Sequence, residues 1–264
     1  MSNRITIWKA RAIQLGLVAS LLSTWEIGAS GGWLDSFHFS SPSRVAHHAV
    51  SWIESGILTK HLLITLAEAG VGFFTGLMAG MIVGFLIAGH PTLDLVLQPF
   101  LGIANAMPRI AFAPLLVLWF GFGFLSKVIL VVSLVFFVVF YNTYRGFKEI
   151  RPVILKNARV LGASKNLVLL HIYLPATLAW IFTSLRICVG FSIIGAILGE
   201  YIGSSAGIGF LIDNAQSNFD ATGVMTGLAV LTAVVVVVDS AVKRVETHFL
   251  KWQPDPEKLQ VPAT

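Results

Sequence analysis

Charged side chains are scarce in this chain of 264 residues, because Asp, Glu, Lys and Arg together make up only 12% of it. Hydrophobic residues make up 56%, and the mean hydropathy is +0.81. A soluble domain of this size has too little interior to bury so much apolar surface. The scarcity of charge therefore excludes an ordinary soluble protein and indicates a chain whose solvent is largely a lipid bilayer.

Cysteine and the patterns of catalytic chemistry are missing as well. The single cysteine, Cys188, excludes a disulfide framework. The seven histidines have no Cys or carboxylate partners at metal-ligand spacing. The sequence contains no Gly-x4-Gly-Lys-Ser/Thr phosphate loop, no catalytic triad and no catalytic carboxylate pair. We therefore expect a protein that is not an enzyme, holds no metal or cofactor itself and leaves any ATP hydrolysis to another chain.

Apolar runs long enough to cross a membrane recur along the chain. A helix needs about 20 apolar residues to span the hydrocarbon core, and the runs 69–93, 128–144 and 221–238 contain no Asp, Glu, Lys or Arg. We predict an all-α integral membrane protein, with one transmembrane domain over 1–264. Its six spans lie at approximately 12–32, 65–89, 95–120, 125–145, 176–200 and 221–243. The first is expected to be an uncleaved span, because Trp25-Glu26 is a poor approach to a signal-peptide cleavage site.

Basic residues indicate how the chain is oriented. Six of them lie in or beside the loop 146–175, and four more follow the last span. Loops rich in Lys and Arg stay on the cytoplasmic side, so this loop and both chain termini are predicted to be cytoplasmic. The loop before span six carries Asp213 and Asp220 but no base, as expected outside. We interpret the net charge of +5 as a topology signal and expect no nucleic-acid partner.

Charged residues inside predicted spans are candidates for a translocation path, because a charge at that depth faces protein or water. Arg109 follows Pro108 in a span that also holds Pro99 and Pro114, and proline bends or breaks a helix. Arg186 and Glu200 are separated by 14 positions, which places them within about 40° of one helix face and about 21 Å apart along it. The predicted pore or gate residues are Pro108, Arg109, Arg186 and Glu200. Alternatively, the charges pair with acids or backbone carbonyls and hold the bundle together.

Two further patterns predict packing and an interfacial element. Span two carries glycines at a spacing of four, which lie on one helix face: Gly72, Gly76, Gly80 and Gly84. They predict a helix-packing surface or, alternatively, a sliding surface for a gate. Between spans one and two, helical spacing behind Ser41-Pro42-Ser43 predicts a short helix with Trp52 at the bilayer interface.

The segment 156–176, KNARVLGASKNLVLLHIYLPA, lies in the basic loop and is too amphipathic to be a span. It predicts two short helices. Gly162 can end the first in a left-handed conformation, and Ser164 can cap the second. Pro175 then begins span five, since proline is tolerated in a first helical turn.

This segment resembles the EAA loop of ABC importer permeases, in which Glu-Ala-Ala is followed after three residues by Gly and after nine more by Ile-x-Leu-Pro. The positions in register are Ala158, Gly162, Ile172, Leu174 and Pro175. Lys156 and Asn157 depart from the pattern. The resemblance implies a coupling helix that docks on the ATPase, and the residues it assigns to docking are Ala158, Arg159, Gly162, Ala163, Ser164 and Lys165. The alternative is an amphipathic loop without a partner.

Further stretches, including MPRIAFAPLLVLWFGFG (107–123) and GEYIGSSAGIGFLI (199–212), resemble permeases of the nitrate, sulfonate, taurine and bicarbonate importer group. TLAEAGVGF (65–73), with Glu68 where Arg is frequent, is more similar to members handling thiamine-precursor pyrimidines or riboflavin. The resemblance implies the MetI-like, type I arrangement in a bacterial inner membrane and import of a small polar or anionic solute. Alternatives are a pyrimidine, riboflavin or aromatic-acid substrate.

The implied partners are two ATPase subunits that hold ATP and Mg, a periplasmic or lipid-anchored solute-binding protein, and a second copy of the chain or a paralogous permease in the lipid bilayer. A stand-alone secondary transporter is the alternative from a different class. It predicts inverted repeats with matched broken helices, whereas only one proline-broken span is evident.

Overall fold

A computed structural model describes residues 2–249, and every regular element within them is helical, which confirms the all-α prediction. The α-helices are α1 (Ser2–Ser30), α2 (Ser36–Phe39), α3 (Pro42–Glu54), α4 (Ile57–Gly89), α5 (Pro91–Ala106), α6 (Ala113–Phe120), α7 (Phe124–Lys148), α8 (Pro152–Val160), α9 (Lys165–Val168), α10 (Leu174–Ile202), α11 (Ile208–Ser217) and α12 (Ala221–Phe249). A 3-10 turn, Arg109–Phe112, precedes α6, and a π turn, Leu169–Tyr173, joins α9 to α10.

Six helical stretches of the described chain are long and apolar enough to cross a membrane, and the bent pair Pro91–Ala106 and Arg109–Phe120 is a further candidate. Two of the six, Lys165–Phe182 and Ser184–Ile202, belong to one uninterrupted helical path from α9 to the end of α10. Because that path makes no turn between its halves, it crosses a membrane once. With the bent pair counted as one crossing, the described residues contain six spans.

Helices α4 and α7 run parallel and in close contact along the glycine-bearing face of α4. The contacts, in order along both helices, are Gly72 with Val131, Gly76 with Val135, Gly80 with Val139 and Gly84 with Thr143. A Cβ atom on any of these glycines would come within 2.5–2.9 Å of an α7 atom. The missing side chains are what lets the two backbones approach.

Helix α10 packs against α7 in the antiparallel direction. Gly195 of α10 lies against Leu134, and Gly199 lies one turn further on against Lys127. The shared core consists of Ala69 from α4, three valines from α7 (131, 135 and 139), and Cys188, Ile193 and Ala196 from α10. These three helices form the centre of the fold: α7 packs along both of the other two, and α4 and α10 also contact each other directly.

The elements between α1 and α4 are tied to the bundle by polar and apolar contacts. Glu26 of α1 accepts hydrogen bonds from the Ser43 backbone N–H (2.9 Å) and hydroxyl (2.8 Å), so its carboxylate caps the start of α3. Trp52 is only 8% exposed and packs with Ile208 and Leu231. The Trp52 ring therefore faces the protein and not water, while its position at the bilayer interface stays a prediction.

Candidate functional site

The loop 146–175 folds as a helix, a glycine turn and a second helix. Helix α8 ends at Val160, and Gly162 adopts φ +80°. The Gly162 N–H donates to the Arg159 carbonyl (3.0 Å) and the Ala163 N–H donates to the Ala158 carbonyl (2.9 Å). These bonds satisfy carbonyls that a helix end otherwise leaves unpaired. The left-handed turn expected at Gly162 is therefore present.

Ser164 begins the second helix of the loop, where its hydroxyl accepts the Leu167 N–H at 3.3 Å. The sequence predicts a short helix here and a separate span five that begins at Pro175. In the structure α9 instead passes through the π turn Leu169–Tyr173 directly into α10. Pro175 cannot donate a backbone hydrogen bond, and a widened turn before it accommodates the interruption without breaking the helix. Span five and the end of the loop thus form one continuous rod.

The tip of the loop exposes apolar side chains among basic ones. Val160 is 86% and Leu161 is 85% exposed. Lys156, Arg159 and Lys165 are exposed around them. Exposed apolar groups rimmed by polar residues mark interaction sites. We call residues 158–165 the coupling tip; Val160 and Leu161 are the members that the motif match missed, although their position between the matched Ala158 and Gly162 pointed to them.

The root of the loop is fixed to both helices that flank it. The rings of Phe147 and Tyr173 stack with their centroids 3.9 Å apart. A Cβ atom on Gly146 would lie 3.0 Å from the Thr177 Cα, so α7 and α10 approach closely there. A groove of about 270 Å³ lies beside this contact, lined in part by Ile154 and Trp180. The loop is thereby attached to the ends of two core helices.

The break at Pro108–Arg109 is stabilised within the chain. The segments on either side differ in direction by 78°. The Arg109 guanidinium donates to the Ala104 carbonyl (3.3 Å) and to the backbone and side-chain oxygens of Asn105 (3.1 and 3.0 Å). It also lies 4.2 Å above the Phe137 ring. Arg109 thus caps the end of α5 and anchors the bend to α7.

Arg186 binds Asp239, an acid that is not among the predicted site residues. Its guanidinium makes two parallel hydrogen bonds to the Asp239 carboxylate of α12, at 2.7 and 2.8 Å. The two side chains remain 49% and 40% exposed. The sequence signal for Asp239 was its place as an acid within predicted span six, directly after the apolar run 221–238, since an isolated charge in a span needs a partner or water.

Glu200 is enclosed by the protein instead of open to a path within this chain. It is 1% exposed, and its carboxylate accepts hydrogen bonds from the Thr65 hydroxyl (2.6 Å) and the Gly209 N–H (2.7 Å). The structure does not bring it together with Arg186. Its neighbours Glu68 and Lys127 are also buried, and neither was among the predicted site residues.

The sequence could have pointed to Glu68, because it precedes Gly72 by four residues and so lies on the glycine-bearing face of α4. On the parallel helix α7, Lys127 precedes Val131 by the same interval. Among the residues that the structure describes, no group of three or more His, Cys, Asp or Glu side chains could hold a metal ion.

Comparisons with known proteins agree with this architecture. A family model described as the inner membrane component of binding-protein-dependent transport systems matches residues 76–251. An aliphatic sulfonates transport permease of Bacillus subtilis is 30% identical over 237 residues, covering 90% of this chain and 86% of its own length. A formylaminopyrimidine transport permease of Halalkalibacterium halodurans is 30% identical over 233 residues, covering 88% and 92%.

Among solved structures, the inward-facing MetNI methionine ABC transporter contains a chain that matches with a TM-score of 0.62 at 20% identity. The match covers 73% of this chain and 95% of that one. At this identity the likeness shows the fold, which is the MetI-type arrangement expected from the sequence. The family match covers most of the chain, and both relatives are transport permeases. The protein belongs to the family of inner membrane components of binding-protein-dependent transport systems, as the permease subunit of an ABC importer whose ATP is hydrolysed on a separate chain.

Proposed function

We propose that the coupling tip is the surface through which this permease engages its ATPase. The observation that carries the proposal is the exposure of Val160 and Leu161 at a helix-glycine-helix turn. Two apolar side chains held in water at a tip of defined shape gain free energy when a partner's groove covers them. The surrounding residues assigned to docking are Ala158, Arg159, Gly162, Ala163, Ser164 and Lys165.

The fold supports a route for force from this tip into the membrane. Because α9, the π turn and α10 are continuous, displacement of Ser164 and Lys165 displaces span five as a rod. The stack of Phe147 on Tyr173 passes the same displacement to α7. An ATPase that closes on ATP therefore changes the relative positions of the core helices and the access that they control.

The charge of the tip predicts the chemistry of the groove that receives it. Lys156 replaces the Glu of the family pattern, and Arg159 and Lys165 lie on either side of the turn. A basic helix binds best where the partner's potential is negative. We propose an acidic rim on the ATPase groove, in a complex with two ATPase copies, a second copy of this chain or a paralogous permease, and a solute-binding protein on the opposite side. In this arrangement the loop and both termini are cytoplasmic.

Substitution of the tip tests the docking. Leu161→Ser should lower the amount of ATPase that co-purifies by about fivefold or more, because central apolar contacts dominate interface energy. Trp33→Ser is the matched control, since Trp33 is 87% exposed but lies between α1 and α2, and it should co-purify the ATPase as the wild type does. Equal co-purification by both variants would rule out docking at this tip.

The side of the membrane on which loop 146–175 lies can be tested at Leu161 as well. When the permease is produced without its ATPase, so that the tip is uncovered, a cysteine introduced as Leu161→Cys should react with a membrane-impermeant maleimide only after sealed cells are opened. Cys188 is fully buried and should contribute little background. Reaction in intact cells would place the loop outside and refute the assignment.

We propose a small polar or anionic solute of the sulfonate, nitrate, taurine or bicarbonate type as cargo, with a thiamine-precursor pyrimidine, riboflavin or an aromatic acid as the alternative. The sulfonate relative and the formylaminopyrimidine relative are equally similar, at 30% identity. Thermal-shift measurements on the cognate binding protein with taurine, an alkanesulfonate and formylaminopyrimidine distinguish the two. Stabilisation by the pyrimidine alone would reject the sulfonate class.

Among the charged pore candidates, Arg186 is the most exposed at the surface of this chain, whereas Arg109 is half-buried and Glu200 is buried. We propose that the half-exposed pair with Asp239 faces the translocation path, where water and a passing anion can reach it. Pro108 and Arg109 have the supporting role of shaping the bend beside that path, and Glu200 acts at the far end of the bundle, opposite loop 146–175.

A further inference from the structure

A cluster of buried ionisable and polar side chains lies at the far end of the bundle. Its members come from three helices: His61, Thr65 and Glu68 from α4, Lys127 from the start of α7 and Glu200 from the end of α10. Each is at most 8% exposed. Burial of so many polar groups is unfavourable unless each finds a partner, so their arrangement indicates a specific role.

Three of these side chains hold the start of α11. The N–H groups of Gly207, Ile208 and Gly209 donate, in that order, to the His61 Nδ1 (2.9 Å), the Thr65 Oγ1 (2.9 Å) and the Glu200 Oε2 (2.7 Å). Consecutive N–H groups at a helix start have no partner within the helix. Side chains of α4 and α10 therefore clamp α11 in place.

Glycines make room for this clamp. A Cβ atom on Gly207 would lie 2.1 Å from the Glu200 Cδ, and one on Gly209 would lie 2.8 Å from the Glu200 Cβ. A Cβ atom on Gly199 would lie 2.9 Å from the Lys127 Cγ. The glycines of the segment 199–209, GEYIGSSAGIG, thus leave space for the side chains of Glu200 and Lys127, which indicates that the local sequence is adapted to this cluster.

Glu68 lies about one helical turn after Thr65, whose hydroxyl donates to Glu200, so the two carboxyl groups are neighbours in the buried cluster. Two adjoining buried carboxyl groups cannot both ionise, and a single shared proton removes the repulsion between them. Both Glu200 oxygens already accept hydrogen bonds from Thr65 and Gly209, so Glu200 is the ionised partner and Glu68 carries the proton. The second Glu68 oxygen, Oε2, is buried and has no hydrogen-bond partner, as fits an uncharged carboxyl group better than a carboxylate.

Lys127 balances the charge that remains. Its Nζ donates to the carbonyls of Phe122 and Gly123 (3.0 Å to the latter), and its side chain packs against Gly199, the residue before Glu200. One ammonium, one carboxylate and one carboxylic acid together carry no net charge. We propose that Glu68 and Glu200 form a proton-binding site, neutralised by Lys127, whose single proton keeps α11 clamped to α4 and α10.

Glu68 and Glu200 thus have different roles, as the protonated and the ionised partner, and this difference can be tested. A glutamine at position 68 imitates the protonated acid and can still donate to Glu200. A glutamine at position 200 has only one acceptor oxygen for the three donors that the carboxylate receives. Release of α11 can be detected with Ala215→Cys in a Cys188→Ala background, because Ala215 is buried against α12. Ser205→Cys, at an exposed position, corrects for the reactivity of the reagent.

The labelling rate of Ala215→Cys is divided by that of Ser205→Cys in each background. In Glu68→Gln this ratio should stay within about twofold of its value in the protein with both glutamates intact. In Glu200→Gln it should rise by about tenfold or more, because this substitution leaves buried donors unpaired. Equal increases in both variants would overturn the proposal. Infrared difference spectra provide a measurement that does not depend on the labelling variants. Subtracting the spectrum of Glu68→Gln from that of the wild type should reveal the carbonyl stretch of a buried protonated carboxyl group. The spectrum of Glu54→Gln, which removes an exposed acid, should retain this band. Absence of that band in the wild type would show that no proton is shared.

Discussion

Adding one methyl group to the α4–α7 contact should destabilise the bundle measurably. In Gly80→Ala the new Cβ atom would lie 2.7 Å from the Phe136 carbonyl oxygen and 2.9 Å from the Val139 Cβ. The closest atom belongs to the backbone, which cannot rotate away as a side chain can. One of the two helices has to shift instead.

The magnitude follows from two opposing effects. Overpacking of a close contact costs about 1–3 kcal/mol, while replacing a helical glycine by alanine gains about 1 kcal/mol of helix propensity. We expect a net loss of about 1 kcal/mol in the free energy of unfolding, which lowers the Tm by about 2–4 °C for a chain of about this length.

Gly70→Ala is a matched control on the same helix. No atom lies within 4 Å of the position its Cβ would occupy, so only the gain in helix propensity remains and the Tm should rise by about 2 °C. The only cysteine, Cys188, is 0% exposed, so a thiol-reactive fluorescent dye reports unfolding in detergent without further substitution. A Gly80→Ala protein as stable as Gly70→Ala would refute the close approach of α4 to α7.

Three other substitutions follow from contacts elsewhere. Gly207→Ala introduces both a clash and a side chain at φ +110°, and should lower the free energy of unfolding by about 2–4 kcal/mol in the same dye assay; an unchanged Tm would contradict the tight fit at the start of α11. Asp239→Asn should lower the Tm, and the reversed pair Arg186→Asp with Asp239→Arg should restore most of the loss, whereas no recovery would show that the ion pair itself is unimportant. Glu26→Gln weakens the bonds from Ser43 to α1, so limited proteolysis between α1 and α3 should become faster, with unchanged cleavage arguing against the cap.

Elements whose formation depends on neighbouring residues alone could be predicted from the sequence. Apolar runs predicted the spans, because a bilayer core demands about 20 apolar residues wherever a helix crosses it. The turn at Gly162 was also predictable, since its cause is the conformational freedom of one residue. Even here a detail was wrong: the π turn before Pro175 keeps α9 and α10 continuous, and its formation depends on the helix on both sides.

Contacts between distant segments were decided by the tertiary structure alone. The sequence identified Arg186 and Glu200 as unusual, but their shared helix face suggested a common path, whereas the fold directs Arg186 to Asp239 and encloses Glu200 with Glu68 and Lys127. A charged residue in a span requires a partner or water, and this need can be predicted from the sequence. Which partner it finds depends on the parallel register of α4 with α7 and the antiparallel register of α10, and that register is set by side-chain packing along whole helices.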